Sequence, residues 1–195
     1  TPTHTPAPHY RFSSNEPGAL SVTGACSTVA QEAVSGDNMI EMTTSEDGSY
    51  ADCVLWVEDG AGHRSSLAIS PFVLDTEAPQ LVSTEPLEDA VDISPLSPIV
   101  LTFSEAMLKG TGQVLFSPDG GEVITVDIES PKVEITDNVV RLSPGFLLNH
   151  SAVYELTISS GALLDLAGNG LAAEEGLLLS YKTTPVPDVS IGDVR

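Results

Sequence analysis

Apolar and polar side chains alternate with period two over many short stretches of this chain, the spacing that places every second residue of a strand on a buried face. In the first half Leu20 and Val22 lead in this way towards Cys26, and Cys53, Leu55 and Val57 repeat the pattern. In the second half the same reading predicts strands at residues 99–103, 113–116, 123–128, 133–135, 139–142, 153–158 and 177–181. Turn-forming residues separate these runs about every ten positions. Residues 80–83 read as one more strand, and residues 161–167 as a short helical turn that the neighbouring glycines keep from growing. With 16 Gly and 14 Pro punctuating short apolar runs, the expected class is all-β, arranged as two tandem antiparallel β-sandwiches.

The punctuation also predicts the domain limits. Pro2, Pro6 and Pro8 favour an extended, semi-rigid stretch with little to bury, so residues 1–8 read as a linker. Pro185 and Pro187 give residues 185–195 the same character, and both ends read as places where a longer polypeptide continues. A third break falls at residues 75–79, after Val73-Leu74 and before a new strand signal. The expected domains are therefore residues 9–78 and 79–184.

Cys26 and Cys53 are the two cysteines of the chain. Each shares a face with core residues of its own run, so a bridge across the first sandwich is expected, the alternative being two buried thiols. A disulfide would place the protein in an oxidising, exported compartment.

One element occurs in both halves: Asp59-Gly60-Ala61-Gly62-His63 and Asp165-Leu166-Ala167-Gly168-Asn169. An Asp carboxylate here accepts hydrogen bonds from the turn's own amides, and Gly62 and Gly168 supply the positive φ of a tight reversal. Asp59, Gly62, Asp165, Gly168 and Asn169 are accordingly expected to be structural turn residues ahead of the last strand of each half.

These segments carry a resemblance. Ala78-Pro79, Ser94-Pro95, the run from Ile99 to Met107, Tyr154 to Ile158, Asp165 to Asn169 and Tyr181-Lys182-Thr183 make residues 79–184 similar to the bacterial immunoglobulin-like domain first defined in surface-layer proteins. Residues 9–78 resemble, more loosely, the immunoglobulin-like repeats of large bacterial surface proteins. They depart from the antibody pattern, with Tyr50 three residues before Cys53 and Trp56 after it. The resemblance implies a spacer, stalk or adhesion module on an extracellular bacterial protein, with neighbouring domains of the same polypeptide as its first partners. Accessory domains of secreted hydrolases share this architecture.

Charge narrows the partners further. The formal charge is −21, from 28 acidic and 7 basic residues, and it is spread over both halves. Such a field repels phosphate backbones and anionic lipid, so nucleic acid is not expected as a partner. No apolar run approaches the roughly 20 residues of a membrane helix, and direct membrane insertion is not expected.

The sequence carries no recognisable catalytic constellation. A nucleophile elbow, a phosphate loop, a dinucleotide fingerprint and a paired-histidine zinc motif do not occur in it. His4, His9, His63 and His150 are scattered, and the neighbouring carboxylates Glu88/Asp89 and Glu174/Glu175 read as solvated loop charges. Lys109, Lys132 and Lys182 sit in no cross-linking motif, and Asn149-His150-Ser151 is a chance-level sequon. Calcium is the one candidate cofactor, because hard cations take loop carboxylates. Asp59, Asp75 and Glu77, near the boundary by topology, are its candidate ligands. The expected function is non-catalytic. The second reading is a module for a host or cell-surface protein or glycan, for which Trp56, Tyr10 and Tyr181 are the available aromatics.

Overall fold

The computed structural model describes residues 2–44, 46–143, 148–172 and 176–186, and every regular element among them is a strand. The chain forms two compact units, Thr1–Glu77 with Leu166–Asn169, and Ala78–Asp165 with Gly170–Arg195. Both are all-β sandwiches, as the alternation predicts.

The first unit contains β1 (Pro2–Thr3), β2 (His9–Ser14), β3 (Gly18–Thr23), β4 (Ser27–Thr28), β5 (Glu32–Ala33), β6 (Gly36–Thr43), β7 (Gly48–Tyr50), β8 (Val54–Glu58), β9 (Arg64–Ala68) and β10 (Phe72–Leu74). They form three sheets, β5-β3-β8-β9, β2-β6-β4 and β1-β10-β7. Their apolar faces meet in one core: Leu20 and Leu55 from the first sheet, Phe12, Ile40 and Met42 from the second, Tyr50 and Leu74 from the third. The alternation is visible in β6, where Ile40 and Met42 are buried and Met39, Glu41 and Thr43 are exposed.

Residues 2–8, expected as an extended, semi-rigid linker, are extended but tied into the first unit. Pro2 and Thr3 pair in parallel with Val73 and Leu74, Thr3 O accepts from Asp75 N, Pro6 O from Thr44 N and Pro8 O from Met42 N. Proline lacks the donor but keeps the carbonyl, so a Pro-rich segment still serves as an edge strand, held mostly through its carbonyls and through the N–H of the non-proline residue Thr3 in the parallel ladder.

The second unit contains β11 (Leu81–Glu85), β12 (Ala90–Ile93), β13 (Ile99–Phe103), β14 (Met107–Lys109), β15 (Gln113–Pro118), β16 (Ile124–Asp127), β17 (Val133–Thr136), β18 (Val139–Leu142), β19 (Val153–Ile158), β20 (Leu163–Asp165) and β21 (Leu177–Thr183). A four-stranded sheet, β11-β13-β18-β17, a five-stranded sheet, β12-β21-β19-β15-β16, and the ribbon β14-β20 enclose the core. Ile99, Leu101, Phe103, Tyr154, Leu156 and Ile158, the residues that the alternation assigns to this core, are all buried in it. Most pairings are antiparallel, but β12 joins β21 in parallel.

Residues 161–167 form no helical turn of the expected kind. They enter β20, which pairs with β14 through Met107↔Asp165 and Lys109↔Leu163. Gly110 N and Thr111 N donate to Ala162 O and Gly161 O, and Ala162 and Leu163 are fully buried. A helical nucleus this short costs more than its own bonds return, so long-range backbone partners decide the conformation. Of the expected C-terminal linker, Pro185 and Val186 are described and belong to no strand; Pro187 onwards, like the Glu174/Glu175 pair, lies outside the described residues.

Candidate functional site

The residues singled out by sequence fall into two constellations in the first unit and one reversal in the second half of the chain. The first is the disulfide. Cys26 and Cys53 are bonded, with their Cα atoms 5.6 Å apart and a sequence separation of 27. The bridge is placed differently from the mid-strand staple expected. Strand β3 ends at Thr23, whose partner on β8 is Val54, so Cys26 lies in the bend beyond β3 and Cys53 immediately before β8. The bridge therefore clamps one end of the β3/β8 pair. Asp52 Oδ1 accepts from Ala25 N at 3.0 Å, and Gly24 turns the chain with φ +96° while its Cα faces the Asp52 carbonyl. A Cβ at residue 24 would overlap that oxygen, which explains glycine there.

The second constellation is the turn between β8 and β9. Asp59 Oδ1 accepts from Ala61 N at 2.8 Å and from His63 N at 2.9 Å. Asp59 Oδ2 lies 2.9 Å from His63 Nδ1, and Gly62 has φ +87°. The His63 backbone N–H, followed by the His63 ring, holds the Asp59 carboxyl below its ordinary value of 3.8. Both carboxylate oxygens are thus occupied within the turn, as a hairpin-forming role requires. This turn precedes β9 and β10, so it stands one strand earlier than expected.

The reversal at residues 165–169 is built otherwise. Asp165 is fully buried in β20, Gly168 has φ +100°, and β20 pairs with β14, not with β21. A single antiparallel bridge, Leu164↔Gly170, closes the reversal, so Gly168 serves a bend and not the expected hairpin. Within the first unit, Asn169 Nδ2 donates to Asp75 O at 2.8 Å and His4 Nδ1 lies 2.8 Å from Ala167 O.

Asp75 Oδ1 accepts from Glu77 N at 3.3 Å. Asp59, Asp75 and Glu77 are not gathered into one ligand set: among the described residues no group of three close His, Cys, Asp or Glu ligand atoms contains Asp59 or Glu77. The groove of about 470 Å³ beside the turn, lined by Pro17, Gly18, Glu32, Glu58 and Asp59 among others, brings no free acid–base pair together. Glu58 is paired with Arg64 at 3.2 Å and Asp59 with its own turn.

The aromatics are dispersed. Trp56 is half-buried on the outer face of β8, its Nε1 donating to Thr23 Oγ1 at 3.1 Å and its ring covered by the Arg64 guanidinium at 4.8 Å. Tyr10 packs against the core from β2, and Tyr181 is buried with its hydroxyl 3.2 Å from Thr84 Oγ1. Burial, foremost, pushes the Tyr181 phenol above its ordinary value of 10.0.

Sequence reasoning missed the matching role of two tyrosine hydroxyls. The Tyr50 hydroxyl donates to Glu46 O at 2.6 Å and its ring stacks on Phe72 at 5.0 Å; the Tyr154 hydroxyl accepts from Asn149 N at 2.9 Å. Each ties a buried ring to backbone four or five residues upstream, the device that fixes a corner in immunoglobulin-like sandwiches. The signal was the Tyr50/Cys53 spacing, read as a departure from the antibody pattern.

Two all-β sandwich units with filled cores set the fold class. A family model described as the bacterial Ig-like domain matches residues 75–183, more than half of the chain, and the chain belongs to that family. A search of curated proteins gave no match.

Proposed function

We propose that the chain is a non-catalytic extracellular module, a spacer or stalk that presents a more distant domain of a larger bacterial surface protein. The observation that carries this reading is the bacterial Ig-like match over residues 75–183, a family typical of surface proteins. The Cys26–Cys53 bridge adds support, because such bonds persist in oxidising compartments. The corner tyrosine Tyr50 supports reading the first unit as a second immunoglobulin-like repeat, and the ordered elements of the second unit suit the surface-layer type. Asp59, Asp75 and Glu77 act in this reading through their turns and not as calcium ligands, since the Asp59 and Asp75 carboxylates already accept local backbone N–H groups.

The test is exchange in the natural protein. Residues 1–184 are deleted, or replaced by an unrelated immunoglobulin-like pair of similar length. Loss of surface function on deletion and its recovery with the unrelated pair supports a spacer. Failure of the unrelated pair to restore it shows that this surface itself binds or acts, and overturns the reading.

A further inference from the structure

The outer edge of β9 carries an inference that goes beyond the spacer reading. Asp59 N donates to His63 O at 3.0 Å and Ile69 N to Cys53 O at 2.9 Å. Bonded pairs alternate along an antiparallel ladder. With Val57 opposite Ser65 and Leu55 opposite Leu67, the intervening residues Arg64, Ser66 and Ala68 aim their N–H and C=O groups away from β8. Strand β9 ends its sheet, all five of its residues are exposed, and nothing among the described residues pairs with that edge.

The core face stops short at the same place. Leu67 lies opposite Leu55 and therefore on the inner face, yet it is 45% exposed while Leu55 is 2% exposed. One more strand would cover Leu67 and satisfy the free groups together. The devices that usually blunt an edge are missing: β9 has no proline, its register with β8 is unbroken, and its single charge, Arg64, is drawn back onto Trp56 and Glu58.

We propose that β9 is a strand-addition site that takes an extended cationic segment of a partner polypeptide. The main chain of the segment pairs with Arg64, Ser66 and Ala68, and alternate side chains fall beside Leu67 or on the Trp56 face. Charge selects the partner. Residues 1–77 hold eleven acidic residues against Arg11 and Arg64 alone, and the whole chain is at −21, so a second copy is repelled and a basic segment attracted. Pairing two copies through a five-residue edge also buries less than the roughly 1,000 Å² of a stable interface, whereas an added peptide draws its affinity from backbone bonds.

The test is titration of the isotope-labelled full chain with a seven-residue peptide of alternating valine and lysine, followed by amide NMR and hydrogen exchange. The expected result is shifts centred on residues 64–68, with exchange at Arg64, Ser66 and Ala68 slowed at least about tenfold. Ser66→Pro removes one outward N–H without touching the bonds to β8, and weakens binding at least about tenfold. The same peptide N-methylated along its bonding edge fails to bind the unaltered chain, which keeps the test decisive should Ser66→Pro not fold. A valine–glutamate peptide of the same alternation also fails. Shifts scattered over the acidic surface without protection at β9 overturn the proposal, as do equal binding of the N-methylated or acidic peptide, or self-association of the chain through β9. Failure of the peptide to bind leaves the spacer reading in place, because that reading rests on the family match.

Discussion

Reducing the Cys26–Cys53 bond, with no other change, should destabilise the first unit and spare the core of the second. The bond closes a loop of 27 residues, and the chain-entropy relation gives about 3.5 kcal/mol at 25 °C for a loop of that size. A unit of this length has a total stability of about 4 to 12 kcal/mol, so reduction removes between a third and nearly all of it. Trp56 is the single tryptophan of the chain and sits on β8, beside the clamp, so its fluorescence reports the first unit alone. With a urea slope of about 1 to 1.5 kcal/mol per molar, the Trp56 midpoint falls by about 2 to 3.5 M on reduction. A fall of less than about 0.5 M, outside the scatter of the slope, would refute the reasoning. It would mean that the loop is already ordered without the bond.

Further outcomes follow from particular residues. Gly24→Ala forces a Cβ against the Asp52 carbonyl at φ +96° and should cost the first unit about 2 to 4 kcal/mol in urea melts read by Trp56. Leu156→Ala empties a fully buried site and should lower the stability of the second unit by about 2 to 5 kcal/mol, measured by circular dichroism. The Asp59 carboxyl should titrate by NMR below its ordinary 3.8. Because its folded-state value is depressed, the stability it contributes is present above the unfolded value and is lost as pH falls through the folded one; Asp59→Asn abolishes that pH dependence. Chelator should leave the melting temperature unchanged, and a clear drop would show that calcium holds the fold.

Alternation made the strands that face a core on one side readable. β13, β18 and β19 stand where Ile99, Val139 and Val153 announce them, because a slip of one residue would expose every apolar side chain. The short pair β14/β20 was not readable, since three residues show no period and their conformation is set by a partner more than fifty positions away. Strand β1 was hidden for a related reason: Pro2 and Pro6 read as linker, while the segment is held by pairing with a strand some seventy positions away, in which the prolines need supply only their carbonyls. The cysteine pair was legible from its composition and face, but its place beyond the end of β3 was not, because the period-two count ran on through the bend at Gly24. The turn motif predicted the local hydrogen bonds of Asp59 correctly and misjudged the second copy, where Asp165 is buried in a strand.

The most direct measurement is labelling of intact producing cells with antibody against this chain, compared with the same cells opened, together with the thiol state of the recovered protein. The account expects labelling of intact cells and a Cys26–Cys53 pair resistant to alkylation before reduction. Labelling confined to opened cells, with both thiols free, would contradict it.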